Sequence, residues 1–257
     1  AESKVWHRIT ELKNTNKGHK GKKGKDKQVI GVLGCMAERL KDDMFASGHV
    51  DLVAGPDAYR DLPRLISSIC HNNNIDDLDP DIHRTRAINV QLSIDETYAD
   101  VTPVRRNQED VSAFVSIMRG CNNMCSYCVV PFTRGRERSR DLLTIVEESR
   151  RLFEVEGVKE VCLLGQNVNS YHDKSKTALR ANPVPTSDYS TSNAGFTNMF
   201  RLRGGGGYYF VDLLDEVSQI SPELRVRFTS PHPKDYPIDL LHLMAERSNI
   251  CSQLHMP

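Results

Sequence analysis

Three cysteines, Cys121, Cys125 and Cys128, fall within eight residues in the run G-C-N-N-M-C-S-Y-C, residues 120–128. Thiolates at C-x3-C-x2-C spacing on one loop can each take one iron of a [4Fe–4S] cube. The fourth iron then has no protein ligand and stays open to a substrate or cofactor. Structural zinc is the competing chemistry. It needs a fourth ligand and usually paired C-x2-C knuckles, and the sequence has no second pair. Cys35, Cys70, Cys162 and Cys251 are scattered. An odd total of seven, with no visible secretory signal, reads as reduced thiols rather than a disulfide framework. Taken alone, Cys35 is a buried thiol at a strand end, and Cys70, Cys162 and Cys251 are small apolar packing residues.

Other polar groups gather around this loop in the sequence. Arg134, Arg136, Arg138 and Arg140 recur at every second residue just after it. Bidentate contacts to phosphate or to a cofactor carboxylate suit guanidinium groups; pairing with Glu137 in a solvated face is the alternative. Gly165, Gln166 and Asn167 follow one apolar run, and Ser230, His232 and Lys234 follow another. If those runs are parallel strands, both sets lie at strand C-terminal ends, where parallel barrels build their sites. An ordinary strand exit, and a turn stiffened by Pro231 and Pro233, are the structural alternatives. Trp6 and the run Tyr208-Tyr209-Phe210 read as core or docking aromatics.

The elements that must position these residues alternate. Val5, Ile9 and Leu12 predict a short amphipathic helix over residues 1–12. Residues 13–27 carry seven lysines and read as a solvated loop, with RNA contact as the alternative. A strand over 29–34, a helix over about 37–45, a strand over 50–54 and a helix from the Gly55-Pro56-Asp57 turn to about Cys70 predict a small α/β layer domain. An acidic loop over 71–85, a last strand and a linker to about Asn107 follow. A second alternation then begins. It has a strand over 113–118, a loop over 119–139, a helix over 141–155, a strand over 158–164 and a helix over 210–220. A strand over 224–229, a helix over 237–247 and the start of a fourth strand over 251–255 complete it. Repeated β-then-α units predict parallel strands as in a barrel or part of one. Residues 170–208 form a Ser/Thr/Asn/Gly-rich insertion, too long for a normal connection and read as flexible. The fold expectation is therefore α/β, with a partial layer domain over 1–103 and an incomplete barrel domain over 104–257.

The chain has 257 residues, enough for one or two domains. Its 34 basic and 34 acidic residues cancel, and the sequence pI is about 7.3. That balance excludes a histone-like polybasic protein but not a local nucleic-acid face. Hydrophobic residues at 39% and charged residues at 26% are a globular composition. No apolar run reaches the roughly 18 residues of a membrane span, so no membrane partner is expected.

The wording around the cysteines carries a resemblance. C-x3-C-x2-C with Tyr127 before the last cysteine, after the first barrel strand, resembles the radical S-adenosylmethionine enzymes. V-P-F-T-R-G-R-E-R-S-R (130–140), L-L-G-Q-N-V-N-S-Y (163–171), R-F-T-S-P-H-P-K-D (227–235) and G-C-M-A-E-R (34–39) narrow it to the MiaB-type tRNA methylthiotransferases. It extends over nearly all of the chain outside the Lys-rich loop, the acidic loop and the insertion. The nearest branch is an animal mitochondrial one, also described as binding an activator of a neuronal cyclin-dependent kinase.

The resemblance implies that Cys121, Cys125 and Cys128 hold a [4Fe–4S] cluster whose open iron takes S-adenosylmethionine. Tyr127 then packs near the adenine, and Gly165, Gln166, Asn167 and Ser230 lie around the cofactor. Reduction by an electron donor cleaves the sulfonium and releases a 5′-deoxyadenosyl radical. The implied reaction converts N6-isopentenyladenosine beside the tRNA anticodon to its 2-methylthio derivative, in the mitochondrion. The family's first domain holds a second [4Fe–4S] cluster with three cysteines, of which only Cys35 is present, so the chain reads as truncated at both ends. A different class of function, a catalytically silent fragment engaging a kinase activator, is the rival reading.

Overall fold

The computed structural model describes residues 2–17, 29–72, 87–89, 105, 107–183 and 206–256. The Lys-rich stretch from residue 18, the acidic loop from residue 73 and residues 184–205 of the insertion lie outside them. Two compact units divide the chain. One comprises Ala1–Tyr98 with Met124–Gly135, the other Ala99–Asn123 with Arg136–Pro257.

The first unit begins with α1, Glu2–Lys17. It runs beyond the helix expected over 1–12, and within it Thr10 and Thr15 return their hydroxyls to the carbonyls of Trp6 and Glu11. Strand β1 (Gly31–Leu33) and β2 (Leu52–Ala54) pair in parallel, and β3 (Ala87–Asn89) adds to the far side of β2. The helix expected over 37–45 is two helices, α2 (Cys35–Arg39) and α3 (Lys41–Ala46), broken where Leu40 leaves helical geometry. A 3₁₀ turn over Pro56–Asp61 leads into α4, Leu62–Asn72. Strand alternation sorts the core into two layers. Val32 and Val53 pack with Ile9 of α1, Ala37 and Met44 on one face, and Leu52 and Ala54 pack with Leu65 and Ile69 of α4 on the other. Trp6 is a partly buried neighbour of the first layer. Cys70, expected to pack, is exposed: α4 buries Leu65 and Ile69, and the next residue turns away from that face.

The second unit is built on β4 (Ser112–Ser116), β7 (Glu160–Leu164) and β10 (Arg225–Phe228), parallel and in chain order across the sheet. Sequential parallel neighbours joined through helices are the arrangement expected of barrel units. Among the described residues the sheet does not close. The fourth strand, expected over 251–255, is reduced to one parallel bridge between Ile250 and Val226. Helix α6 (Leu142–Glu154) follows β4, α8 (Phe210–Ser218) precedes β10 and α9 (Ile238–Glu246) follows it. One sheet face buries Val115, Val161, Leu163 and Val226 beneath Leu142 and Ile145 of α6, Leu213 and Leu214 of α8, and Leu240 of α9. Truncating a fully buried leucine here, such as Leu213 to Ala, costs about 2–5 kcal/mol. The other face carries Phe114 (66% exposed) and a Glu160–Arg227 ion pair. Cys162, buried on that polar face, has its thiol pushed up by burial and by neighbouring Glu160.

Six short elements were not foreseen. Strands β5 (Met118–Arg119) and β6 (Arg138–Ser139) pair antiparallel inside the stretch expected as loop, with α5 (Val130–Arg134) between them in sequence. The described ends of the insertion are ordered elements: β8 (His172–Asp173) pairs with β9 (Tyr208–Tyr209), and α7 spans Lys176–Ala181. Tyr209 and Phe210 are core residues, as their type suggested.

One buried phenol and one partly buried phenol make the fold alkali-sensitive. Burial pushes Tyr171 well above the usual tyrosine range and Tyr236 up to about 12. In the unfolded chain both ionise near pH 10. Stability is therefore full below about pH 10 and falls as pH rises from there toward the folded values, because the unfolded state loses its protons first. Urea midpoints between pH 9 and 11.5 should drop, and Tyr236→Phe should flatten the drop. Tyr171→Phe should cost about 1–3 kcal/mol at neutral pH, because the buried Tyr171 hydroxyl donates to the partly buried carbonyl of Arg140 at 2.7 Å.

Candidate iron-sulfur site

In the second unit, the segment leading to the first cysteine is gripped from two strand ends. The Gly120 N–H donates to Gln166 Oε1 at 2.7 Å, so the second residue after β7 reaches back to the residue before Cys121. Gly120 has φ 72°, a turn that glycine takes without strain. Cys121 is 9% exposed, and its sulfur accepts the Asn123 N–H at 3.4 Å. The Asn123 side chain accepts from Lys234 Nζ at 2.6 Å. The loops after β7 and β10 are laced together: Asn169 exchanges bonds with the carbonyl and N–H of His232 at 2.8 Å each, and Asn167 Oδ1 accepts the same N–H at 3.2 Å. Gly165 is required by packing. A Cβ there would lie 2.5 Å from Met118 Cγ and 3.1 Å from Val168 Cγ1.

Ser230 sits at φ 59°, the single non-glycine residue in the left-handed region among those described, and its N–H donates to the carbonyl of His255. Strain of this kind collects at functional sites. Ser230→Gly should raise stability by about 1 kcal/mol, measured as a shift in urea midpoint, because it removes the left-handed penalty.

In the first unit, Cys125 and Cys128 are half-buried. The Cys128 N–H donates to the Cys125 carbonyl at 2.9 Å, and the Val130 N–H points at Cys128 Sγ at 3.5 Å. Tyr127 between them is 81% exposed, with Met124, Val129 and Phe132 also out. Helix α5 turns its other side to α2, where Arg134 Nε donates to Cys35 Sγ at 3.2 Å. Cys35 is half-buried in the first turn of α2, just beyond the strand end where it was expected.

The arginine series divides. Arg134 reaches Cys35, and Arg136 is exposed. Arg138 is half-buried in β6. Arg140 donates to the carbonyls of Ser116 and Thr144 and pairs with Glu148 at 2.5 Å, so its guanidinium is committed inside the unit. Within the protein, Gln166 accepts from the Gly120 backbone and Arg134 donates to the Cys35 thiol. Their partners lie 46 and 99 residues away, which no local pattern encodes.

No cysteine among the described residues is in a disulfide. Nor do three His, Cys, Asp or Glu side chains among them converge on a point suited to one metal ion. An iron–sulfur cube does not ask for that convergence, because each thiolate meets its own iron at a separate corner. The donor set fits such a group: three thiols on one loop, two of them already receiving backbone N–H bonds of the kind that stabilise cluster thiolates.

A family model described as the radical SAM superfamily matches residues 115–249. Three relatives set the scale of similarity. A "CDK5RAP1-like protein" of Caenorhabditis elegans is 48% identical over 258 residues, covering 100% of this chain and 43% of its own length. The human "Mitochondrial tRNA methylthiotransferase CDK5RAP1" is 47% identical over 271 residues, covering 100% and 42%. A "tRNA-2-methylthio-N(6)-dimethylallyladenosine synthase" of Amoebophilus asiaticus is 49% identical over 230 residues, covering 89% and 41%. The chain thus spans about two-fifths of the length of the curated relatives it matches. No helix among the described residues is long and apolar enough to cross a membrane.

Proposed function

Because the chain belongs to the radical SAM superfamily, we propose that it is the cluster-bearing part of a tRNA methylthiotransferase. Cys121, Cys125 and Cys128 are the ligands of a [4Fe–4S] cluster whose open iron takes S-adenosylmethionine. The substrate is N6-isopentenyladenosine next to the anticodon, and the outcome is replacement of its C2 hydrogen by a methylthio group. The observation that carries this reading is the three-cysteine loop at the end of the first sheet strand, inside a chain close to half identical to proteins named for that reaction.

When bound, the cluster and S-adenosylmethionine supply one-electron cleavage of a sulfonium. The chain's own residues orient and shield. Gln166 and Lys234 hold the loop that carries Cys121; Asn167 and Asn169, each 2% exposed, tie the two strand-end loops together. Tyr127, fully available on the loop, offers an aromatic face to the adenine, and Gly165 and Ser230 line the same strand ends. The exposed Arg136 is the candidate for phosphate contact, which predicts RNA affinity that falls with salt. A low-potential electron donor completes the set.

Cys35 is one thiol, which cannot hold a second cluster alone; it would be one of its ligands together with cysteines from outside this chain. Mitochondrial residence is proposed from the names of the mammalian relatives, and a kinase-activator partner from the family resemblance alone.

The test is nucleoside analysis of tRNA from cells lacking the gene, with and without its re-expression. Loss and return of 2-methylthio-N6-isopentenyladenosine is the expected result. Unchanged modified nucleoside would overturn the substrate assignment, and absence of 5′-deoxyadenosine from the anaerobically reconstituted, reduced protein would favour the binding-module reading.

A further inference from the structure

Cys121 lies between two anchors that come from different strand ends. Before it, Gly120 is held by Gln166 from the end of β7; after it, Asn123 is held by Lys234 from the loop beyond β10. The anchors are themselves braced. The Lys234 N–H donates to His232 Nδ1 at 3.1 Å, and His232 is fixed by Asn167 and Asn169. Asn123 is the residue whose backbone N–H reaches Cys121 Sγ. Whatever fixes Asn123 therefore fixes a hydrogen bond to that sulfur. The short ammonium–amide bond, at 2.6 Å and partly buried, is charge-assisted and among the stronger single contacts of this segment.

We infer that Lys234 and Gln166 form a two-point clamp that positions Cys121, with Lys234 setting the N–H···S bond through Asn123. These are positioning residues, distinct from the ligands themselves. On the reading given above, the clamp has a further consequence for the loaded protein. Hydrogen bonds to cluster sulfurs and nearby positive charge raise the reduction potential, so losing Lys234 lowers it.

The clamp is testable without any cluster, by alkylating the metal-free chain with iodoacetamide under native conditions and following each cysteine by peptide mass spectrometry. Lys234→Ala and Gln166→Ala should each speed modification of Cys121 about tenfold, the scale of one lost hydrogen bond. Lys234→Arg, which keeps charge and donor, should stay near the wild-type rate. Cys162 and Cys251, buried elsewhere in the same unit, should react at unchanged rates. Equal acceleration at all three sites would mean general loosening and would overturn the proposal, as would an unchanged Cys121 rate.

In reconstituted protein the expected second signature is a midpoint potential shifted negative in Lys234→Ala and restored in Lys234→Arg, read by potentiometric titration of the reduced-cluster electron paramagnetic resonance signal. A wild-type chain that takes up no cluster would sink the proposed function while the alkylation result still decides the clamp. A cluster whose potential is the same in all variants would refute the electrostatic consequence.

Discussion

Replacing Cys121, Cys125 and Cys128 together by alanine is expected to take the anaerobically reconstituted protein from about four irons and four sulfides per chain to none. The effect should be complete, because the binding rests on thiolate–iron bonds and the described residues provide no other group of metal ligands to substitute. The fold should survive it. None of the three cysteines belongs to a hydrophobic core cluster, so the far-ultraviolet circular dichroism and urea midpoint of the metal-free variant should match the wild type closely. Cys35→Ala serves as the matched control. As a single thiol that accepts from Arg134, it should leave the iron and sulfide count unchanged. Two results would overturn the assignment. Iron retained in the triple variant would place the ligands elsewhere. One equivalent of zinc in the wild type, lost in the variant and accompanied by no sulfide, would identify a structural zinc site.

The regular part of the architecture was readable from periodicity, because each element there carries a dense apolar pattern. Leu142, Ile145, Val146 and Leu152 mark one face of α6, and all four are buried. The runs that became β7 and β10 are long enough to show as strands and are bounded by turns. The misses have a common physical cause. Strands of two residues, such as β5, β6, β8 and β9, have no period to detect, and their pairing depends on partners up to 37 positions away. The fourth strand had the composition of a strand but makes only one bridge at Ile250. At the site, the cysteine spacing was readable because chemistry demands those residue types at that spacing. The internal contacts of Arg134, Arg140 and Gln166 were not. An arginine ladder beside a cluster loop has the same sequence whether a guanidinium faces phosphate, a thiol or an internal carbonyl. Here one reaches Cys35 and another two backbone carbonyls.

Gly207→Ala should be among the most damaging single changes in the second unit, although the insertion that contains it reads from the sequence as flexible. Gly207 has φ 104°, and a Cβ built on it would lie 2.1 Å from the carbonyl oxygen of Asp173. The residue has little room to retreat. Its N–H donates to the Asn182 carbonyl at 2.7 Å, and its own carbonyl accepts from Asn182 Nδ2 at 3.1 Å. The obstructing Asp173 is held as well: its carboxylate accepts the Leu142 N–H at the start of α6 and the Ser175 N–H before α7. Displacing Gly207 therefore strains the β8–β9 pair, the stack of His172 on Tyr209 at 4.2 Å, and the start of α8, whose Phe210 packs edge-on against Phe228 of β10. The left-handed penalty and the overpacking together should cost about 3 kcal/mol. Gly157→Ala separates the two contributions. Gly157 has φ 70°, but nothing lies within 4 Å of where its Cβ would stand, so only the backbone penalty of about 1 kcal/mol applies. Urea unfolding of both variants should show the Gly207 change costing clearly more. Equal losses would mean that the backbone at Gly207 yields freely, and that the β8–β9 pair is not a rigid extension of the core beneath α8.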